Sequence, residues 1–212
     1  MALALLGTAL ALWRVPRRWR AWGGLAWLPL LLWSPPRPDP GSFRLLVLDV
    51  GQGSAVLVRT RHHALLYDAG PQYSEESDAG QRVLVPLMTR MGVHLDKLIL
   101  SHRDLDHTGG AASVLSSQKG ADLLTSLEVG HPLTQARAAQ RCEAGQQWEW
   151  DGVRFEILHP KPLDYERMAS TNSLSCVLRV DAMQAAFLDS ANDTHQGSAL
   201  LTGDIEAPQE LA

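Results

Sequence analysis

The sequence predicts an α/β protein, a sandwich of two mixed sheets faced by helices, with membrane-associated helices ahead of it. Three observations lead there. Short apolar runs recur through residues 43–212 with helical patterns between them, which suits strand layers covered by helices. Pro35, Pro36, Pro38 and Pro40 set this region apart from an apolar beginning; proline fixes φ and gives no N–H to a helix or ladder, so residues 35–42 read as a stiff linker. A polar run from Ser101 to Gly110 follows directly on Leu98, Ile99 and Leu100, the layout of a buried strand whose end opens into a site. At 212 residues and 45% hydrophobic content, the chain can bury one sizeable core.

Residues 1–13 are almost wholly apolar, 14–20 are basic, and 21–33 are apolar again with Trp22, Trp27 and Trp33 along them. A spanning helix needs about 20 apolar residues. The first run therefore reads as the end of a cut helix, and the second as one that crosses with help from its flanks or lies in the interface. A secretory signal would carry its charge before the apolar stretch. Basic connectors stay on the cytoplasmic side, so a crossing at 21–33 puts residues 43–212 outside the cytoplasm, at the inner or plasma membrane.

Beyond the linker, 44–49 and 55–59 are strand-like around the turn Gly51-Gln52-Gly53-Ser54, and Ala64–Tyr67 is a third strand ending at Asp68. Residues 82–91 look helical despite Pro86, and 109–117 look like a helix of small residues entered from the polar run. Later strands are expected at Gln147–Trp150, 153–158, 174–180, 184–188 and 199–201.

Charge is unevenly placed. Five arginines against Asp39 give residues 1–42 a net charge of +4, and the remaining 14 basic and 22 acidic residues give −8. Nucleic acid is held non-specifically by neutralising phosphates, so an acidic body is a poor general clamp. Any DNA contact must be local or metal-mediated.

The run Ser101-His102-Arg103-Asp104-Leu105-Asp106-His107-Thr108-Gly109-Gly110 places two imidazoles and two carboxylates within six residues. Imidazole nitrogen and carboxylate oxygen suit zinc, manganese or iron. A polar loop with two solvated histidines is the bland alternative; the interposed aspartates and the following Gly-Gly favour a metal site.

This run resembles the H-x-H-x-D-H signature of the metallo-β-lactamase superfamily, with Asp104 in place of the second histidine. The variant S-H-x-D-x-D-H-x-G-G resembles ComEC, a family of membrane DNA-uptake competence proteins. Leu48-Asp49-Val50-Gly51-Gln52-Gly53 and Leu200-Leu201-Thr202-Gly203-Asp204-Ile205-Glu206 resemble that family's opening and later motifs, with Leu66–Gly70 and Thr171-Asn172-Ser173-Leu174-Ser175 between them in order. The resemblance implies an αββα sandwich, incomplete at its C-terminal end, because the family's last ligand histidine has no counterpart before Ala212. The chain is thus expected to be a fragment.

Carried over residue by residue, the resemblance implies that Asp106 and His107 hold one metal, His102 and Asp104 hold or orient a second, and Asp204 bridges them. Asp106, His107 and Asp204 would be catalytic. One or two divalent ions are implied, and the carboxylate at Asp104 gives manganese as much weight as zinc. Asp49 and Asp68 are either turn formers or acceptors for the far nitrogens of ligand histidines. Asn172 and Ser173 are expected to touch substrate or support ligands. His159 reads as a surface histidine, and His62, His63, His94, His131 and His195 as solvated. Cys142 and Cys176, the only cysteines, lie outside any C-x-x-C pattern; a disulfide is permitted outside the cytoplasm, and a buried free thiol is expected for Cys176 as the commoner state. Trp148 and Trp150 alternate on a strand; packing of both against a helix is expected over base stacking.

The function these readings favour is an extracytoplasmic metal-dependent phosphodiesterase or nuclease attached to a DNA-uptake channel, with the incoming strand and the membrane as partners. A catalytically reduced module that guides DNA is the second reading, and a small-molecule metallo-hydrolase the third.

Overall fold

The computed structural model describes residues 37–167, 170–182 and 197–206. The membrane-associated segments expected at 1–34 and the strand expected at 184–188 lie outside them. Among the described residues no helix is long and apolar enough to cross a membrane.

The first sheet holds β1 (Arg44–Val47), β2 (Val56–Arg59), β3 (Ala64–Tyr67), β6 (Lys97–Leu100), β7 (Asp122–Thr125) and β8 (Ala139–Arg141) in that spatial order. β1, β2 and β3 are antiparallel neighbours, whereas β3, β6, β7 and β8 run parallel. The parallel crossovers contain α1 (Val85–Met91), the pair α2 (Leu105–Thr108) and α3 (Ala111–Ser117), and α4 (Pro132–Ala136). The second sheet is antiparallel, ordered β12 (Ser198–Leu201), β11 (Val177–Ala182), β10 (Val153–His159), β9 (Gln147–Trp150). A small hairpin, β4 (Gln72–Ser74) with β5 (Ser77–Asp78), and α5 (Pro162–Glu166) complete the strands and α-helices of the described residues.

Period-two alternation on the first sheet makes two cores. Leu57, Leu66, Leu98, Leu100 and Leu123 point to the helices and meet Leu84, Met88, Val114 and Leu115. Their strand neighbours Val58, Leu65, Tyr67, Ile99 and Leu124 point the other way and meet Phe155, Ile157, Leu178 and Val180 of the second sheet. Each fully buried leucine on either side stabilises the fold by about 2 kcal/mol. On the far face of the second sheet Arg154, Leu158, Arg179 and Leu200 are exposed. Of the αββα sandwich, the described residues thus supply three layers, with helices packed on the first sheet.

Local differences from the expected elements have physical reasons. Pro86 falls in the first turn of α1, where a π-helical turn Gly80–Leu84 runs directly into it, so the N–H that proline lacks falls where the wider turn gives way to the α-helix. The helix expected at 109–117 begins at Ala111 as α3, and an unexpected turn of helix, α2, precedes it inside the polar run; between them Gly109 and Gly110 press against backbone at Gln72 and Ala69, where a Cβ has no room. The strand expected from 174 begins at Val177, after a 3-10 turn Asn172–Leu174. Trp148 packs against Phe155 with rings 5.2 Å apart and 4° from parallel, so it fills space between strands, not beneath a helix.

Candidate metal centre

Parallel strands β3, β6 and β7 finish in a row, and their carboxyl ends lead directly into Asp68, Ser101-His102 and Ser126. In open α/β sheets this edge is where ligands bind. Asp68 follows β3 in the left-handed conformation, φ 59°, and turns a fully buried carboxylate back under the polar run. That carboxylate accepts hydrogen bonds from the Ser101 N–H at 2.7 Å and the Ser101 hydroxyl at 2.9 Å, and lies 2.7 Å from His107 Nδ1.

The hydrogen-bond pattern fixes both imidazoles. The Ser101 hydroxyl gives its only proton to Asp68, so it accepts from His102 Nδ1, 2.9 Å away. His107 likewise donates from Nδ1 to Asp68. Both rings, their centroids 4.2 Å apart, therefore turn Nε2 away from the buried network. His102 Nε2 is buried and has no hydrogen-bond partner, which for a polar atom is costly unless something binds it.

Asp204 comes from the turn after β12, and its Oδ1 lies 3.3 Å from His107 Nε2. Gly203 lets the turn pass close, since its φ is +56° and a Cβ would sit 2.8 Å from Ser101 Cβ. His102, His107 and Asp204 each offer one ligand atom, all within 4.8 Å of one another. Asp104 Oδ2 lies 3.6 Å from His102 Nε2, and Asp106 Oδ2 lies 3.8 Å from His107 Nε2. The imidazoles are almost wholly buried while Asp104, Asp106 and Asp204 are 43–47% exposed, so the carboxylates line an open side. Two imidazole nitrogens and the Asp204 carboxylate, with Asp104 and Asp106 alongside, form a donor set that fits a divalent cation.

Electrostatics separate the two histidines. Burial lowers the pKa of His102, and neighbouring His107 lowers it further. For His107 burial also lowers the value, but the hydrogen bond and charge of Asp68, with the charges of Asp204 and Asp106, outweigh it and raise the pKa to about 9.

The remaining candidates make contacts of their own. Asp49 is exposed and its carboxylate accepts from the Gly51 N–H at 3.2 Å, a turn-forming contact. Asn172 and Ser173 lie in the 3-10 turn, where the Ser173 hydroxyl donates to Ser170 O at 2.7 Å. His159 is not a surface residue. It is buried, with Nδ1 3.1 Å from Ser175 O and Nε2 3.3 Å from Asp164. Of the histidines expected to be solvated, His63 stacks on Trp150 at 4.9 Å and His131 Nδ1 accepts from the Leu133 N–H at the start of α4; His195 lies outside the described residues. Cys142 and Cys176 are bonded to each other, which overturns the free thiol expected at Cys176.

Two residues that sequence reasoning did not single out belong to the centre. Ser101 relays Asp68 to His102, and its position directly before the histidine was the available signal. Ser175 places its hydroxyl 3.5 Å from His102 Nδ1.

The chain belongs to the metallo-beta-lactamase superfamily, whose family model matches residues 48–176. It is similar to Uncharacterized protein YcaI of Escherichia coli (strain K12), 37% identical over 84% of this chain and 20% of that protein. It is 38% identical to Recombination protein 2 of Haemophilus influenzae over 77% of this chain and 18% of that protein. It is 36% identical to Competence protein ComA of Neisseria gonorrhoeae over 87% of this chain and 25% of that protein. The chain thus spans a quarter or less of the length of these relatives. The expected likeness to competence proteins is found among them.

Proposed function

We propose that residues 43–212 are the metal-dependent phosphodiesterase or nuclease part of a membrane DNA-uptake protein, lying outside the cytoplasm and acting on the incoming strand. The observation that carries this reading is the convergence of His102 Nε2, His107 Nε2 and Asp204 at the carboxyl ends of parallel strands, with one buried nitrogen left without a partner. His102, His107 and Asp204 would hold a divalent ion, manganese or zinc, with Asp104 and Asp106 beside them to complete one or two sites. Such an ion, when bound, lowers the pKa of a coordinated water and stabilises charge on a phosphoryl oxygen.

The chain's own groups do the rest. Asp68 and Ser101 hold the two imidazoles in the tautomer that frees Nε2, and the exposed carboxylates face the side from which a substrate enters. Competence relatives support DNA as the substrate, with the rest of an uptake channel and the membrane as partners. The Cys142–Cys176 disulfide supports an oxidising, extracytoplasmic setting.

The test is cleavage of single-stranded DNA by the full chain in detergent with manganese or zinc, beside an Asp204→Ala variant. Metal-dependent cleavage lost in the variant is expected. Metal binding without cleavage by the wild type would replace hydrolysis with strand guidance, and cleavage undiminished by Asp204→Ala would move the chemistry elsewhere.

A further inference from the structure

β8 is the fourth parallel strand of the row whose other ends carry the metal centre. Register runs straight across: Leu100 pairs with Thr125, and Thr125 with Arg141. Arg141 therefore stands two strands from the strand that leads to His102. At the carboxyl ends of β7 and β8 a cavity of about 440 Å³ opens, with Thr125, Ser126, Glu128, Arg141, Tyr165 and Leu174 among its walls. That volume is in the range of pockets that take small ligands.

Cavity and metal centre share structure. The Ser126 hydroxyl donates to Ser101 O at 2.6 Å. Leu174 directly precedes Ser175, whose hydroxyl approaches His102. Arg141 directly precedes Cys142 and Ser175 directly precedes Cys176, so one disulfide joins the residue after each. Both cysteines are fully buried, and their N–H groups donate to Thr125 O and Ser101 O at 2.9 Å each.

The Arg141 guanidinium lies over the Tyr165 ring, 3.5 Å from its centroid, and the tyrosine hydroxyl donates to Cys142 O at 2.6 Å. A guanidinium held flat on an aromatic ring keeps a planar fork of donors that matches two phosphate oxygens. Its ion partner Glu143 is 3.8 Å from Nε, too far for a hydrogen bond, and the side chain remains 53% exposed. With the body of the domain acidic and Glu128 in the same cavity wall, Arg141 is, among the described residues, the one cation lining this cavity and so the group there that can hold a phosphodiester.

We infer that Arg141, held flat on Tyr165, forms a subsite for one phosphodiester of a single strand, tied to the turn that approaches His102 by the Cys142–Cys176 bridge. This deepens the proposed reading and rests on it for the identity of the substrate; binding at the subsite itself needs no metal.

The experiment is fluorescence anisotropy of a labelled oligothymidylate of about ten nucleotides, a length within single-strand site sizes, with the full chain in detergent and EDTA. Wild type binds. Arg141→Ala weakens binding about tenfold and lowers the slope of log affinity against log salt by about 0.7, the loss of one phosphate contact on a single strand. Arg141→Lys keeps the slope but not the full affinity, because the fork is gone. Circular dichroism and thiol titration confirm that each variant is folded with its bridge intact. No binding by the wild type, or an Arg141→Ala variant with unchanged affinity and slope, overturns the subsite. Because the readout is metal-free, unchanged binding by Arg141→Ala beside intact cleavage removes the subsite alone. Arg141-dependent binding by a protein that cleaves nothing keeps the subsite and removes the hydrolytic reading.

Discussion

The Asp68 carboxylate lies 2.7 Å from Nδ1 of His107 while its own backbone is left-handed, φ 59°. That conformation costs a residue other than glycine about 1–2 kcal/mol. Three buried partners, the Ser101 N–H, the Ser101 hydroxyl and His107, offset it. Asparagine tolerates the same backbone but has only one acceptor oxygen and brings an NH₂ group against donors. Asp68→Asn should therefore lower the affinity for manganese about 10–100-fold, measured by calorimetry. An unchanged affinity would show that the orientation of His107 does not depend on this carboxylate.

The same pair sets a pH dependence. In the metal-free fold His107 titrates near 9, above its ordinary value of 6.5, because Asp68, Asp204 and Asp106 outweigh burial. A group whose pKa rises on folding stabilises the fold fully below the unfolded value and loses that contribution as pH climbs through the folded value. The urea midpoint of EDTA-treated protein should fall between pH 6.5 and 9, and Asp68→Asn should flatten that fall. A divalent ion must displace the proton, so metal affinity should rise across the same window by about tenfold per pH unit. Metal affinity independent of pH there would exclude His107 as a ligand.

Much of this arrangement was legible in the chain. Leu65-Leu66-Tyr67 and Leu98-Ile99-Leu100 read as strands because both of their faces are buried, and the His-Asp run after the second announced its chemistry. β7 and β8 were not legible: Asp122–Thr125 is a short run beginning with a charge, Ala139–Arg141 carries no apolar pattern, and parallel pairing supplies what periodicity lacks. Of the two roles open for Asp68, turn former and histidine acceptor, the carboxylate makes its bonds to Ser101 and His107 and not to neighbouring backbone, and the left-handed backbone is what carries it there. His159 looked superficial as the last residue of a strand, yet it is buried with Ser175 O 3.1 Å from Nδ1 and Asp164 3.3 Å from Nε2. Sequence distance hid the link between Arg141 and Ser175, which the fold makes through the bonded cysteines that follow them.

Gly53 tests how tightly the opening turn supports the polar run. Its φ is +112°, and a Cβ there would overlap the carbonyl of Asp106, whose oxygen accepts from the Ser54 N–H at 3.2 Å. Gly51 has φ +79° with nothing near a Cβ. Gly51→Ala should cost about 1 kcal/mol from backbone strain alone and leave metal affinity intact. Gly53→Ala should cost about 2–3 kcal/mol and also weaken metal binding, because Asp106 must shift. Denaturant titration with calorimetry separates the two; equal effects on metal binding would mean that the turn does not position Asp106.

The Cys142–Cys176 bridge closes a loop with a sequence separation of 34 and joins β8 of the first sheet to the entry of β11 in the second. Closing a loop of that length removes entropy from the unfolded chain, worth about 3–4 kcal/mol in the chain-entropy account. Replacing both cysteines by serine should lower stability by about that amount, with a further penalty because both positions are fully buried among Val56, Phe155 and Leu178. A double alanine variant omits the buried hydroxyls and isolates the bridge. Since Cys176 donates to Ser101 O, loss of the bridge should also loosen the serine that orients His102, and manganese affinity should fall in both variants. Equal stability of oxidised wild type and the alanine variant in urea would mean that packing alone joins the sheets here.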